Sequence, residues 1–127
     1  MFSHMMVGSN DLDRSKTFYD ATFGAIGGKP GMVDEKGRLI YLHNGGVFMV
    51  SAPIDGAPAC HANGGTIGFA MNDTAQADAW HAAGVAAGGT AIEDPPGVRS
   101  AQFGDLYLAY LRDPDGNKLC ATYRMPA

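Results

Sequence analysis

Along the chain, short runs of alternating apolar and polar residues are interrupted twice by a helical period, and the same order of elements is written twice. Met1 to Ser9 is strand-like, with Phe2, His4 and Met6 on one face and Met5 and Val7 on the other. Asn10 or Asp11 can then cap a helix, with Asp11 and Asp13 well placed near its positive end. Leu12, Ser15, Tyr19, Thr22 and Phe23 form the narrow apolar stripe of that helix, and Gly24 is a natural stop. Three strands are expected around 26–33, 38–43 and 46–52. Asn44-Gly45 is the hairpin turn between the last two, because such turns need positive φ.

The segment 53–63 holds Pro53, Gly56 and Pro58, has no period, and reads as a linker between modules at about 1–52 and 64–127. From Gly64 the order restarts: a strand from Thr66 to Met71, a cap at Asn72-Asp73-Thr74, and an Ala-rich helix from Ala75 to Val85 with Trp80 on its buried side. Gly88-Gly89 ends the helix, and a looser stretch with Pro95-Pro96-Gly97 leads to a strand over 102–112. Asp115-Gly116 then signals a tight hairpin into a last strand, in which Lys118, Cys120, Thr122 and Arg124 alternate with Leu119, Ala121 and Tyr123.

The halves overlay at an offset of 62 positions, which puts Asn10-Asp11 on Asn72-Asp73 and Phe18 on Trp80; later the offset is 71, which puts Asn44-Gly45 on Asp115-Gly116. The expected fold is α+β: two tandem βαβββ modules in a single domain, forming a curved eight-stranded sheet with the helices on its convex side. The concave face then carries His4, Met6, Met49, Ser51, Thr66, Gly68, Lys118, Cys120 and Thr122.

Composition narrows the function. The chain has 127 residues, 46% hydrophobic, enough for one domain with its own core. Its formal charge of −4 supplies no basic field for a phosphate backbone, so nucleic acid is not an expected partner. Cys60 and Cys120 are the two cysteines, without metal or redox spacing, and read as free thiols of a reducing compartment. No apolar run reaches membrane-spanning length and the first residues lack a basic start, so a cytoplasmic protein without a membrane partner is expected.

Several residues have more than one reading. His4 is compatible with a ligand, a general base or a polar group satisfied within its sheet. Cys120 is either a small buried hydrophobe or, if Lys118 and Arg124 lie close, a thiol of lowered pKa. Arg99, in the Pro-containing loop, is either solvated or able to grip an oxyanion. Tyr107 and Tyr110 fall on opposite faces of one strand, and alternation alone does not say which of them meets the concave side.

The opening strand with His4, the helix start Asp11-Leu12-Asp13-Arg14-Ser15 with Phe18-Tyr19, and the turn Asp113-Pro114-Asp115-Gly116-Asn117 together resemble the vicinal oxygen chelate superfamily. This group includes glyoxalase I, bleomycin-resistance proteins, fosfomycin-modifying enzymes and extradiol dioxygenases, and the resemblance spans the whole chain. It implies metal-ligand positions at His4, Met49, Thr66 and Cys120, of which only His4 keeps a usual residue type. The family's familiar ending has Glu where Cys120 stands.

One imidazole does not make a site for a divalent ion, which wants several imidazoles or carboxylates converging on one point. No cofactor is therefore expected, and the resemblance implies a bleomycin-resistance-like protein that binds a small molecule in the concave cavity without the usual metal. Ligand-binding candidates are His4, Met6, Met49, Thr66, Cys120, Arg99 and Tyr107. The alternative is a metal-dependent lyase, isomerase or dioxygenase of the glyoxalase type with a rebuilt site, for which a divalent metal would be needed. A metal-free enzyme with His4 as base and Cys120 or a tyrosine as partner is a third. The resemblance also implies a homodimer.

Overall fold

The computed structural model describes residues 1–127 and contains two helices and nine strands. In chain order these are β1 (Met5–Gly8), α1 (Leu12–Gly24), β2 (Met32–Val33), β3 (Leu39–His43), β4 (Gly46–Ser51), β5 (Ile67–Ala70), α2 (Thr74–Ala86), β6 (Thr90–Ala91), β7 (Gly97–Arg99), β8 (Leu106–Arg112) and β9 (Lys118–Arg124). The tandem α+β repeat holds: β5 and α2 are β1 and α1 displaced by 62 positions, with 13 residues in each helix. Asp11 and Asp73 are the caps, and each carboxylate accepts from a first-turn amide, Arg14 N at 3.0 Å and Gln76 N at 2.7 Å.

The strands form two sheets. The first has the order β1-β4-β3-β2, and the second β5-β9-β8-β6 with β7 also paired to β8. Their registers repeat at the second offset, since Met5 faces Phe48 and Ile67 faces Leu119 in parallel pairs. The single eight-stranded sheet expected from the repeat is thus divided, with β1 and β5 the unjoined edges. Both edge strands are only four residues long, and the linker crowds one of them: a Cβ on Gly8 would lie 2.9 Å from the Ala59 Cβ.

Alternation sends Val7, Leu39, Tyr41, Phe48 and Val50 inward from the first sheet, and Ala109, Leu111, Leu119 and Ala121 inward from the second. Helix residues Phe18, Tyr19, Phe23, Ala77 and Trp80 cover them, so both modules share one core. Phe69 joins the halves, with ring centroids 5.7 Å from Phe23, 5.4 Å from Phe48 and 6.0 Å from Trp80. The helices meet closely at Gly84, where a Cβ would be 2.3 Å from Leu111 Cδ1 and 3.4 Å from Phe18 Cε2.

Three local expectations are revised. The strand expected over 26–33 shrinks to Met32–Val33, because Gly27, Gly28, Pro30 and Gly31 break the run and the Gly31 N–H donates to Asp20 Oδ1 at 2.9 Å. The strand expected from Gln102 starts only at Leu106, after Gly104 at φ 117°. Asn44 and Gly45 do make a turn with φ of 48° and 80°, but their counterpart is a five-residue loop, 113–117, and not a two-residue turn.

Buried Asp113 organises that loop. Its Oδ1 accepts from the amides of Asp115 and Asn117, both at 2.9 Å, and its Oδ2 from Asn117 Nδ2 at 2.8 Å and from the Tyr19 hydroxyl at 2.6 Å. Asp115 takes Asn10 N and Arg14 Nη2, each at 2.9 Å. The loop of the second module therefore clamps the start of the first module's helix.

Candidate functional site

The helices occupy one side of the sheets, and the other side is left to the alternate residue of each strand. On the first sheet this outer face is apolar. Met6, Met49, Ile40 and Met32 stand in one row, each paired in register with the next. At the end of that row Met6, Ser51, Lys36, Arg38 and Ile54 line a cleft of about 640 Å³.

The outer face of the second sheet is more polar, although Leu106 and Leu108 share it. Cys120 lies between Gly68 and Tyr110 in register, is buried, and has its Sγ 3.3 Å from Thr122 Oγ1. Lys118 Nζ sits 5.0 Å from the centroid of the Tyr110 ring and pairs with Glu93. Burial raises the Tyr110 phenol above its ordinary value, and the neighbouring Cys120 adds to the shift.

Two more clefts lie along the seam between the edges of β1 and β5. One, of about 300 Å³, is lined by Met6, Thr66, Cys60, Asn117 and Lys118 among others. The other, of about 240 Å³, is bounded by the aromatic rings of Phe23, Tyr41, Phe48 and Phe69.

The candidates read from the sequence are therefore dispersed. Met6 and Met49 are neighbours on the outer face of the first sheet, and Thr66 shares the seam cleft with Met6. His4 is exposed just ahead of β1 with its Nδ1 2.7 Å from Ser3 Oγ. Cys120 takes the outer face of the second sheet.

Tyr107 has to be withdrawn from the candidates. It pairs with Tyr123 on the helix side of the second sheet, and its hydroxyl donates to Asp78 Oδ1 of α2 at 2.6 Å. That hydrogen bond, with a smaller contribution from burial, raises its pKa. Tyr110 holds the outward place instead. Arg99 is not a free anion grip, because its Nη1 and Nη2 donate to the carbonyls of Gly97 and Asp94 at 3.1 and 3.0 Å, fastening the loop that precedes β8.

Arg38 went unremarked in the sequence. The signal was available, since it alternates with Ile40 and Leu42 and so belongs to their face. It shares the cleft with Met6 only because the turn before β3 lies across β4 from the end of β1.

The four ligand positions implied by the resemblance are an exposed imidazole, a thioether in an apolar row, a hydroxyl, and a buried thiol beside a threonine. No group of three or more His, Cys, Asp and Glu side chains is placed to hold a metal ion. The donor set does not fit the ion that this fold implies.

Tandem modules that each begin β-α, with the helices to one side of the sheets and an open face to the other, are the architecture of the vicinal oxygen chelate fold. The chain belongs to the Glyoxalase/Bleomycin resistance protein/Dioxygenase superfamily, whose family model matches residues 1–121. It is similar to a glyoxalase/bleomycin resistance protein from Albidiferax ferrireducens T118, with 56% identity, 98% of this chain and 99% of that one covered, and a TM-score of 0.94. A family enzyme from Burkholderia phytofirmans PsJN shares the fold at 16% identity, 97% and 98% coverage and a TM-score of 0.73. So does a lactoylglutathione lyase from Agrobacterium tumefaciens, at 20% identity, 97% and 92% coverage and a TM-score of 0.66. No match was found among curated proteins.

Proposed function

We propose that this chain binds a small molecule on the outer face of its sheets and does so without a metal centre, in the manner implied by the bleomycin-resistance branch of its family. The observation that carries the reading is the donor set: His4, Met49, Thr66 and Cys120 stand where the family's ligands are expected. A Lewis-acid mechanism needs a cation with an open position, and such a cation needs several hard or borderline donors. The chain offers thioether, hydroxyl and a hydrogen-bonded thiol instead. A Met and Ile row over a cleft suits an apolar ligand body, because methionine adapts to irregular shapes.

The same reading includes a homodimer. Met32 and Leu42, on the outer face at the β2–β3 end of the first sheet, are 52% and 57% exposed, apolar area that a second copy would cover. Light scattering of tag-free protein should return twice the chain mass, and a monomer mass would remove this part.

The function itself is tested by elemental analysis and native mass spectrometry of tag-free protein with Ni, Zn, Mn and Fe(II) supplied. The expected result is less than about a tenth of an ion per chain, with small-molecule adducts surviving EDTA. One ion per chain, lost on His4→Ala, would overturn the reading and favour the glyoxalase-type alternative.

A further inference from the structure

We infer that the cleft at the end of the first sheet takes a small organic anion, its apolar body on Met6 and Ile54 and its oxyanion against Arg38 and Lys36. This rests on the metal-free binding reading above and names the ligand class. The chain has 13 acidic residues against 9 Lys and Arg, yet the walls of this cleft carry two cations and no carboxylate. Glu35 and Asp55 are close in sequence but do not line it.

Arg38 is aimed by its own turn. Asp34 Oδ1 accepts from the amides of Lys36 and Arg38, both at 2.9 Å, and Oδ2 accepts from Arg38 Nε at 2.7 Å. That arrangement fixes the guanidinium by one edge. Its Nη groups find no acceptor in the chain and present an end-on fork of the kind that matches a carboxylate.

Asp34 offsets part of the charge, and Lys36, exposed on the same turn and without a partner, supplies a second cation. Apolar surface stands beside these charges. Ile54 is 105% exposed and Met6 43%, so both have area to give to a ligand. The volume of about 640 Å³ falls within the range of small-molecule sites.

Calorimetric titration of EDTA-treated protein with 4-phenylbutyrate and with its neutral isostere 4-phenylbutanamide tests the assignment. The acid should bind about tenfold or more tightly than the amide. Arg38→Met should abolish the preference and Lys36→Gln should reduce it. The Lys36 side chain makes no hydrogen bond or ion pair in the fold, so its variant keeps the test alive if Arg38→Met unfolds. Equal binding of acid and amide, or a preference unchanged in both variants, would overturn the assignment and leave metal-free binding standing. If neither probe binds, the proposal falls, and one divalent ion per untreated chain would then show that the metal-free reading fell with it.

Discussion

The two modules present the same frame and opposite faces. Outward from the first sheet stand Met6, Met49, Ile40 and Met32; outward from the second stand Lys118, Arg112, Tyr110, Cys120 and Thr122, with Leu108 beside them. Inward, both sheets show the same apolar alternation beneath a 13-residue helix capped by aspartate. Burial constrains the inward residues, because each must fill a shared core without voids or orphaned polar atoms. The outward residues are released from that constraint. The repeat therefore keeps caps, helix lengths and registers, while the outer faces differ, one an apolar wall and the other more polar.

The frame is broken most severely at Asp113, the residue that lets the second module clamp the first. Asp113→Ala leaves two amides, the Asn117 side chain and the Tyr19 hydroxyl without their acceptor. At about 1–3 kcal/mol per orphaned buried donor, with partial rescue by water, the loss should reach about 3–5 kcal/mol in urea unfolding. A loss below about 1 kcal/mol would show that the clamp is dispensable.

A smaller effect separates the two faces of one strand. Tyr107→Phe removes the hydrogen bond to Asp78 and should cost about 1 kcal/mol. Tyr110→Phe removes an outward hydroxyl and should change stability by less than about 0.5 kcal/mol. The pH response should differ as well. The Tyr107 pKa is raised in the fold, so its contribution is present below the unfolded value of about 10 and is lost as pH rises through the folded one. Tyr107→Phe should therefore flatten the alkaline fall in melting temperature, and an unchanged slope would contradict this.

Another small effect concerns the polar tie inside the first module, where Asp20 accepts from the Gly31 amide, Tyr41 Oη and Lys16 Nζ at 2.9, 2.7 and 2.6 Å. Burial pushes the Asp20 carboxyl up, but the Gly31 N–H, Lys16 and Tyr41 together outweigh it and hold the pKa below the ordinary value. Its stabilisation is present above the unfolded pKa of about 3.9 and is lost as pH falls through the lower folded value. Asp20→Asn should cost about 0.5–1 kcal/mol at pH 7 and nothing near pH 2, followed by thermal melts across that interval. An equal cost at both pH values would show that the carboxylate's charge is not what matters.

Local chemistry determined much of this protein without help from distant residues. The Asp11 and Asp73 caps, the helix stripes, the Asn44-Gly45 turn and the offsets of 62 and 71 all follow from φ preferences, short-range hydrogen bonds and periodicity, which act within a few residues. The family was legible for the same reason, since its carriers are caps and turns. Tertiary structure decided the rest. Whether Tyr107 or Tyr110 faced outward depended on which side of β8 α2 came to cover, which is a packing choice that alternation leaves open. The division of the sheet at β1 and β5, the bond from Tyr19 to Asp113, and the meeting of Arg38 with Met6 each depend on residues far apart in the chain. A one-dimensional pattern carries a residue's face but not its neighbour across the fold, and a binding site is made of such neighbours.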